Sequence, residues 1–200
     1  MNEFGLTGGI GAGKSSVARR LVALGAGLVD ADATVRALQR RGQPVFEAIV
    51  GHFGDGVVGE NGELDRPALA DIVFNDADEL KALNNIVHPA VRTEMNEQRK
   101  RLALTHEIIV LDVPLLIESG YQDLAGIVVV DVPVELAIER LVQLRGYDEA
   151  DARARIASQL GRDERLKEAD FVIDNSGSLE ELDAEVDRCW HWMHDRRQPH

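Results

Sequence analysis

The chain has one cysteine, no long apolar run and no leader-like N-terminus. Cys189 is the only cysteine among 200 residues, so no intrachain disulfide can form, which suits a reducing cytosol. The longest apolar run, residues 108–117, is interrupted by Asp112 and Pro114 and is far too short to span a membrane. No basic segment followed by an apolar one opens the chain, so no signal peptide is predicted. These absences favour a cytoplasmic protein without a membrane partner.

Basic residues are too few for a general nucleic-acid binder. The formal net charge is −13, and nonspecific binding depends on neutralising phosphates with Lys and Arg. Arginines nevertheless gather between Arg140 and Arg165, and such a local patch indicates a site for a small anion. The six histidines and the single cysteine show no spacing typical of metal ligands. A small-molecule substrate is expected, with no nucleic-acid partner, and the protein is expected to be a monomer.

One glycine-rich stretch, residues 8–15, organises the rest of the chain. It reads GGIGAGKS and fits the P-loop pattern G-x-x-x-x-G-K-[ST], whose glycines let successive backbone N–H groups face a polyphosphate. Lys14 adds a charge for the β- and γ-phosphates, and the Ser15 hydroxyl can ligate Mg²⁺. A predicted strand precedes the loop and a predicted helix follows, which places phosphate at a helix N-terminus. The residues predicted to bind ATP here are Gly9, Ile10, Gly11, Ala12, Gly13, Lys14, Ser15 and Ser16.

Strand-like and helix-like stretches alternate along the chain, which is typical of a parallel sheet covered by helices. Strands are predicted at 4–6, 27–29, 108–111, 127–132 and 171–173. Helices are predicted at 15–24, 34–41, 44–53, 67–74, 76–87, 89–104, 134–144, 149–160, 162–169 and 179–193. The expected fold class is α/β, a three-layer P-loop core with a parallel five-stranded sheet. Core residues 1–41, 105–138 and 170–200 are interrupted by a helical acceptor-binding insertion at about 42–104 and a helical lid at about 139–169.

Two carboxylates follow the second predicted strand. Asp30 and Asp32 come at its carboxyl end, the edge at which ligands bind in open α/β sheets. Two residues apart on an extended strand, their side chains would point the same way, unless the strand already ends at Asp30. A carboxylate facing the P-loop can take or orient the proton of an attacking hydroxyl. The alternative role for Asp32 is the N-cap of the next helix. Beside a P-loop, the catalytic role is the one predicted.

Asp112 ends the apolar run 108–111. A carboxylate at such a strand tip holds Mg²⁺ or its bound water in P-loop enzymes, so Asp112 is predicted as a metal ligand together with Ser15. The alternative for Asp112 is a turn into Pro114.

Six arginines fall on three consecutive predicted helices: Arg140, Arg145, Arg153, Arg155, Arg162 and Arg165. Arginines that fold over a nucleotide stabilise the charge that spreads over the transferred phosphoryl group. The alternative is a solvated surface paired with nearby Glu and Asp residues. Arg140 is predicted as the catalytic arginine, and Arg145 and Arg162 are the next candidates.

The residues by themselves favour a small ATP-dependent metabolite kinase. The sequence contains no Asn-Lys-x-Asp motif for guanine recognition, which argues against a GTPase. A motor or transporter ATPase would normally be longer. A helical insertion suits capture of an acceptor, and an arginine-rich segment suits a lid. Physical reasoning leaves the acceptor open. A kinase of a metabolite such as shikimate or gluconate, and a nucleotide-sensing module that catalyses nothing, are the alternatives.

The sequence resembles the dephospho-CoA kinase family across nearly its whole length. The matching stretches are LTGGIGAGKS at 6–15, DAD at 30–32 with Arg36, Leu83-Asn84 with His88-Pro89, VPLL at 113–116 with Glu118, and Ala169-Asp170 with VIDNSG at 172–177. A P-loop alone is shared by many unrelated proteins, whereas this order of stretches is much more specific. Ser16 stands where the family usually has Thr, and Ala12 stands where Ser is common.

The resemblance implies ATP-dependent phosphorylation of the 3′-hydroxyl of dephospho-CoA, giving coenzyme A and ADP in the last step of coenzyme A biosynthesis. It implies that Asp32 is the base, that the insertion binds the acceptor and that the arginine-rich stretch is the lid. The acceptor-binding residues that it implies are Asp32, Arg36, His88, Pro114, Leu115 and Glu118. Asn175 is implied to lie near the adenine end of ATP.

Overall fold

The computed structural model describes residues 2–117 and 123–196. The strands are β1 (Glu3–Gly8), β2 (Gly27–Asp30), β3 (Ile109–Asp112), β4 (Gly126–Asp131) and β5 (Phe171–Asp174). The helices are α1 (Lys14–Ala23), α2 (Ala31–Leu38), α3 (Pro44–Phe53), α4 (Arg66–Asn75), α5 (Ala77–Leu102), α6 (Val134–Arg145), α7 (Glu149–Ala157), α8 (Arg162–Lys167) and α9 (Leu179–Asp195). A 3₁₀ turn covers Asp55–Val57. Glu118, an acceptor contact in the sequence prediction, lies outside the described residues.

The five strands form one sheet in the order β2-β3-β1-β4-β5. Strand β1 pairs in parallel with β3 on one side and β4 on the other, and β4 pairs in parallel with β5. The predicted α/β fold with a parallel five-stranded sheet is confirmed. The chain leaves β1 toward β2 and leaves β4 toward β5, in opposite directions along the sheet. Ligands bind at the carboxyl ends of strands where connections diverge in this way, so the crevice lies beyond Gly8 and Asp131.

One face of the sheet packs against α1 and α9. Alternate residues of a strand point to one face, and Phe4 and Leu6 of β1 are fully buried there. Leu21 of α1 and Val186 of α9 belong to the same apolar cluster. Ala12, inside the glycine-rich loop, is also part of it. The strand before the loop, the helix after it and Ala12 within it therefore all pack into the same apolar core.

The chain divides into two compact units. The first comprises Met1–Val29 and Arg101–His200, and the second comprises Asp30–Lys100. The second unit has its own apolar core, formed by Val45, Ile49, Val57, Leu69, Val73 and Val87. It starts at Asp30, whereas the sequence places the start of the insertion at about residue 42. The division into core, insertion and lid stays a prediction.

Helix α5 runs through Pro89 without a break, so the prediction of two helices separated at His88-Pro89 is wrong. A proline inside a helix removes one backbone donor and typically costs about 3 kcal/mol. Val87 before the proline, and Ala90 and Val91 after it, pack against the apolar core of the second unit. Burial on both sides of Pro89 keeps the helix continuous.

Among the described residues, each helix is too short or too polar to cross a lipid bilayer.

Cys189 lies on the inner side of α9 and has no exposed surface. Burial, and secondarily the negative charge of Glu185, raises the pKa of its thiol to about 12. A buried neutral thiol is a poor nucleophile, so the native protein should not react with Ellman's reagent at about pH 8. Unfolding in guanidinium chloride should release one reactive thiol per chain. Rapid reaction of the native protein would contradict this burial.

Candidate active site

The glycine-rich loop takes a conformation that only glycine allows at two positions. Gly11 has φ 83° and Gly13 has φ 86°, both in the left-handed region. A Cβ on Gly11 would lie 2.8 Å from the Ala137 carbonyl oxygen, and one on Gly13 would lie 2.2 Å from the Asn175 Nδ2 atom. The loop is closed by a hydrogen bond from the Ala12 N–H to the Gly9 carbonyl, at 3.0 Å.

The loop leaves backbone donors available at the start of α1. Within the part of the chain that the structure describes, the N–H groups of Gly11 and Gly13 donate to no other residue. Gly13 is the N-cap of α1 and brings no capping side chain. Free N–H groups at the positive end of a helix form an anion site. The geometry therefore fits the polyphosphate cradle that the sequence predicts.

Lys14 and Asp112 form an ion pair at the loop. Asp112 is the last residue of β3, as predicted, and its carboxylate accepts from the Lys14 ammonium. The exposed fraction is 18% for the Lys14 side chain and 7% for that of Asp112. Partial burial strengthens such a pair, since little water screens it. The strand tip thus presents a carboxylate directly to the P-loop lysine.

Asn175 connects the loop to β5, the strand at one edge of the sheet. It directly follows β5 and is only 7% exposed. Its Nδ2 atom donates to the Ala12 carbonyl at 2.7 Å, and its own N–H donates to the Asp131 carbonyl at 2.9 Å. Arg140 donates to the Asn175 carbonyl at 2.9 Å. The structure therefore brings the predicted residues Asn175 and Arg140 to the P-loop.

A cavity of about 310 Å³ opens beside these residues. It is lined by Gly11, Gly13, Ser15, Arg140, Arg145 and Leu179, among others. The lining combines two arginines and free loop amides, which attract anions, with apolar leucine side chains. Such a mixed lining suits a ligand that has a charged part and an apolar part.

A second cavity, of about 270 Å³, lies between the loop, the end of β4 and the segment that joins α7 to α8. Arg162 forms a two-pronged ion pair with Asp131, with Nε–Oδ1 at 2.9 Å and Nη2–Oδ2 at 2.6 Å. The hydrogen bonds from this pair raise the pKa of Arg162. Arg165 donates to the Leu160 carbonyl at 2.6 Å, and its guanidinium lies against Gly9. Arg165 of the predicted lid therefore reaches the P-loop, and Arg162 borders the same cavity.

The other predicted lid arginines are engaged elsewhere. Arg153 pairs with Glu135 and Glu149 on an exposed surface, both at 2.9 Å. The Arg155 guanidinium lies 5.0 Å from the centre of the Tyr147 ring. The alternative of a solvated surface paired with acidic residues describes Arg153, whereas exposed Arg155 contacts an aromatic ring.

Gln159 docks the lid segment on the loop and was not predicted from the sequence. Its Oε1 atom accepts from the Ile10 N–H at 2.9 Å, across 149 residues of chain. Nothing in the local sequence marks this glutamine. Asp131, the partner of Arg162, was likewise missed, although its place at the end of an apolar strand resembles that of Asp112.

Replacing Gln159 by leucine should loosen the lid segment. The change removes the acceptor of the Ile10 N–H, and such a bond contributes about 0.5–1.5 kcal/mol. Amide hydrogen exchange in α7 and α8 should therefore accelerate about two- to tenfold in nucleotide-free protein, as mass spectrometry can measure. Gln143→Leu is the matched control, because the exposed Gln143 side chain bonds Glu139 of the same helix and no other described residue. Equal exchange in both variants would show that the Gln159 contact does not hold the segment.

The predicted acceptor residues fall in both units. Asp32 lies in the first turn of α2, Arg36 in its last turn and His88 within α5, and all three are exposed. Pro114 and Leu115 follow β3 in the first unit, where the Pro114 carbonyl accepts from the Thr7 hydroxyl at 3.2 Å.

Asp30, not Asp32, caps α2. Strand β2 ends at Asp30, whose Oδ1 atom accepts from the Ala33 N–H at 2.8 Å. The strand ends at Asp30, the second of the two possibilities that the sequence left open, so the two carboxylates do not extend from one strand. Helix α2 begins at Ala31, and not at Thr34 as the sequence predicted. The Asp32 side chain makes no hydrogen bond or ion pair within the described ranges. Its carboxylate is thus left free for another role.

Comparison with known proteins identifies the family. The model for dephospho-CoA kinase matches residues 3–181. The chain belongs to the dephospho-CoA kinase family. A relative from Thermobifida fusca, named dephospho-CoA kinase, is 49% identical over 191 residues, which is 95% of each chain. Another of that name, from Streptomyces avermitilis, is 47% identical over 201 residues, covering 100% of this chain and 98% of its own.

Solved structures agree with the family. A crystal structure from Thermus thermophilus has a TM-score of 0.83 at 36% identity, covering 96% of this chain and 97% of its own. A dephospho-CoA kinase from Campylobacter jejuni has a TM-score of 0.67 at 28% identity, with the same shares covered. Membership makes the chain a P-loop kinase, which uses a nucleotide and a small-molecule substrate. Neither a different metabolite kinase nor a nucleotide-sensing module is favoured.

Proposed function

We propose that this chain transfers the γ-phosphoryl group of ATP to the 3′-hydroxyl of dephospho-CoA, giving coenzyme A and ADP as the last step of coenzyme A biosynthesis. The observation that carries the proposal is the family match over residues 3–181. The P-loop supports the assignment of ATP as the phosphoryl donor, because its free N–H groups and Lys14 suit a triphosphate. The reaction then depends on positioning and charge stabilisation more than on covalent chemistry.

The ATP-binding part of the site is proposed to hold Mg²⁺ through Ser15 and Asp112. The described residues contain no group of three or more His, Cys, Asp or Glu that could hold a metal ion. One exposed hydroxyl and one carboxylate nevertheless fit Mg²⁺, which usually keeps waters and phosphate oxygens as its other ligands. When bound, the ion neutralises charge on the phosphates. Lys14, beside Asp112, adds a positive charge for the phosphates, and the free amides of Gly11 and Gly13 orient them.

The acceptor half is proposed to depend on Asp32 as the general base. Its carboxylate is exposed and has no partner among the described residues, so it can accept a hydroxyl proton. Arg36, His88, Pro114 and Leu115 are proposed to contact dephospho-CoA. Glu118 is proposed with them on the family resemblance alone.

Arginines complete the proposed site. Arg140 lines the cavity that Ser15 also lines, and it is proposed to stabilise the migrating phosphoryl group. Arg145 borders the same cavity, and Arg162 borders the other one. Asn175 is proposed as part of the ATP site. Exclusion of water by the lid segment would protect the phosphoryl group from hydrolysis.

The test is incubation with Mg-ATP and a panel of acceptors. Mass spectrometry should show dephospho-CoA heavier by one phosphoryl group, with one ADP released per product, and no such product from shikimate or gluconate. Phosphorylation of a different acceptor would overturn the substrate assignment, and ATP binding without any product would favour a sensing module.

We further propose that the protein acts as a monomer in the cytoplasm. Light scattering after size-exclusion chromatography should give the mass of one chain, 22.0 kDa. A mass of two chains would contradict the monomer.

A further inference from the structure

Asn175 is held at three points, and only one of them involves its side chain. Its backbone N–H bonds Asp131 at the end of β4, and its carbonyl accepts from Arg140 of α6. These two bonds fix the backbone of Asn175 whatever side chain stands there. The amide group then projects to the P-loop, where Nδ2 donates to the Ala12 carbonyl at 2.7 Å. A carbonyl oxygen can only accept, so the nitrogen of the amide must face it.

The contact determines the orientation of one peptide in the loop. In a trans peptide the C=O and the following N–H point in opposite directions, and the described residues contain no cis peptide. Because the Ala12 carbonyl points at Asn175, the Gly13 N–H points away from it. That N–H has no partner within the described part of the chain. The side chain of Asn175 thus selects which side of the loop presents a donor.

We propose that Asn175 is a positioning residue that keeps the Ala12–Gly13 peptide in its phosphate-binding orientation and does not recognise the adenine base. The inference rests on the nucleotide-binding part of the proposed function. It does not depend on the acceptor.

Loss of the side-chain donor should lower the fraction of loops in the competent orientation. The Ala12 carbonyl would lose its partner in a buried place, and Gly13 tolerates several backbone conformations, so the peptide can turn. The apparent dissociation constant of a ligand rises in inverse proportion to the competent fraction. A fall of that fraction to about one tenth weakens binding about tenfold.

The experiment compares ATP with inorganic tripolyphosphate, which has the phosphates but no base or sugar. Asn175→Leu keeps a similar side-chain volume without a donor, and Asn175→Ala removes the group altogether; neither adds charge. Calorimetric titration with Mg²⁺ present should show both ligands weakened about tenfold or more, by the same factor. Hydrogen exchange of the loop in the ligand-free variants should accelerate by a comparable factor. Ser176→Ala is the control, since the exposed Ser176 does not bond the loop, and its affinities should stay within about twofold of the unaltered chain.

Other results would overturn the inference. Weaker ATP binding with unchanged tripolyphosphate binding would mean that Asn175 contacts the base or the sugar. Unchanged affinity for both ligands would mean that the loop keeps its orientation without the contact.

A binding stoichiometry near one shows that a variant is folded, and if the leucine variant misfolds, the alanine variant decides. Absence of ATP binding by the unaltered chain would refute the nucleotide part of the proposed function as well, whereas failure to phosphorylate dephospho-CoA would leave this inference standing.

Discussion

Asp32→Asn should lower kcat for phosphoryl transfer by about 10²- to 10⁴-fold, the usual contribution of a general base. Asparagine has nearly the same shape as aspartate but cannot take up the hydroxyl proton. The KM for ATP should change by less than about twofold, because the P-loop and not Asp32 is proposed to hold the phosphates. A coupled assay of ADP release with dephospho-CoA measures both constants.

Asp30→Asn is the matched control for this change. Asp30 caps α2 through its side-chain oxygen, and asparagine caps helices about as well as aspartate. We therefore expect kcat within about threefold of the unaltered chain and little change in thermal stability. A full kcat in Asp32→Asn would remove Asp32 from its proposed role, and a large loss in Asp30→Asn alone would transfer that role to Asp30.

Lys14→Met should lower kcat by about 10²- to 10³-fold, comparable to losing one strong charge-stabilising donor from a catalytic site. It should also lower the free energy of unfolding by about 3 kcal/mol, the lower end for breaking a buried ion pair, since the Asp112 carboxylate is buried and the lost ammonium is 18% exposed. Steady-state kinetics measures the first effect, and urea unfolding measures the second.

The double variant Lys14→Met/Asp112→Asn separates these two effects. Neutralising the carboxylate removes the buried charge, so most of the lost stability should return. Activity should not return, because the charge for the phosphates and the proposed Mg²⁺ ligand are both missing. Recovery of both properties would mean that Lys14 serves only to neutralise Asp112 and that Asp112 is not needed to hold Mg²⁺.

Several elements were predictable because their signals are local. The loop at 8–15 is a contiguous motif, and Gly11 and Gly13 are recognisable within it because both adopt positive φ angles that favour glycine. The apolar runs that became β3 and β4 are continuous because both faces of a central parallel strand are buried. Asp112 could be placed at a strand tip for the same reason.

The boundaries at Asp30 and Pro89 were decided by competition between local preference and tertiary contacts. Asp30 and Asp32 are both good helix caps, and the end of β2 decides which one is used. A proline normally separates helices, but apolar contacts on both sides of Pro89 outweigh the lost hydrogen bond. Sequence patterns rank such preferences without giving the free energy of the packing that opposes them.

The amino-acid sequence by itself determined that the protein has a P-loop, a parallel α/β core and a carboxylate at the tip of β3, because each follows from residues close together in the chain. Only the tertiary structure showed that Asn175 and Gln159 bond the loop, across 163 and 149 residues. Such contacts depend on which strand ends meet at one edge of the sheet, and residue spacing does not contain that information. The P-loop motif therefore predicts which ligand binds, whereas the packing around it determines how its backbone donors are held.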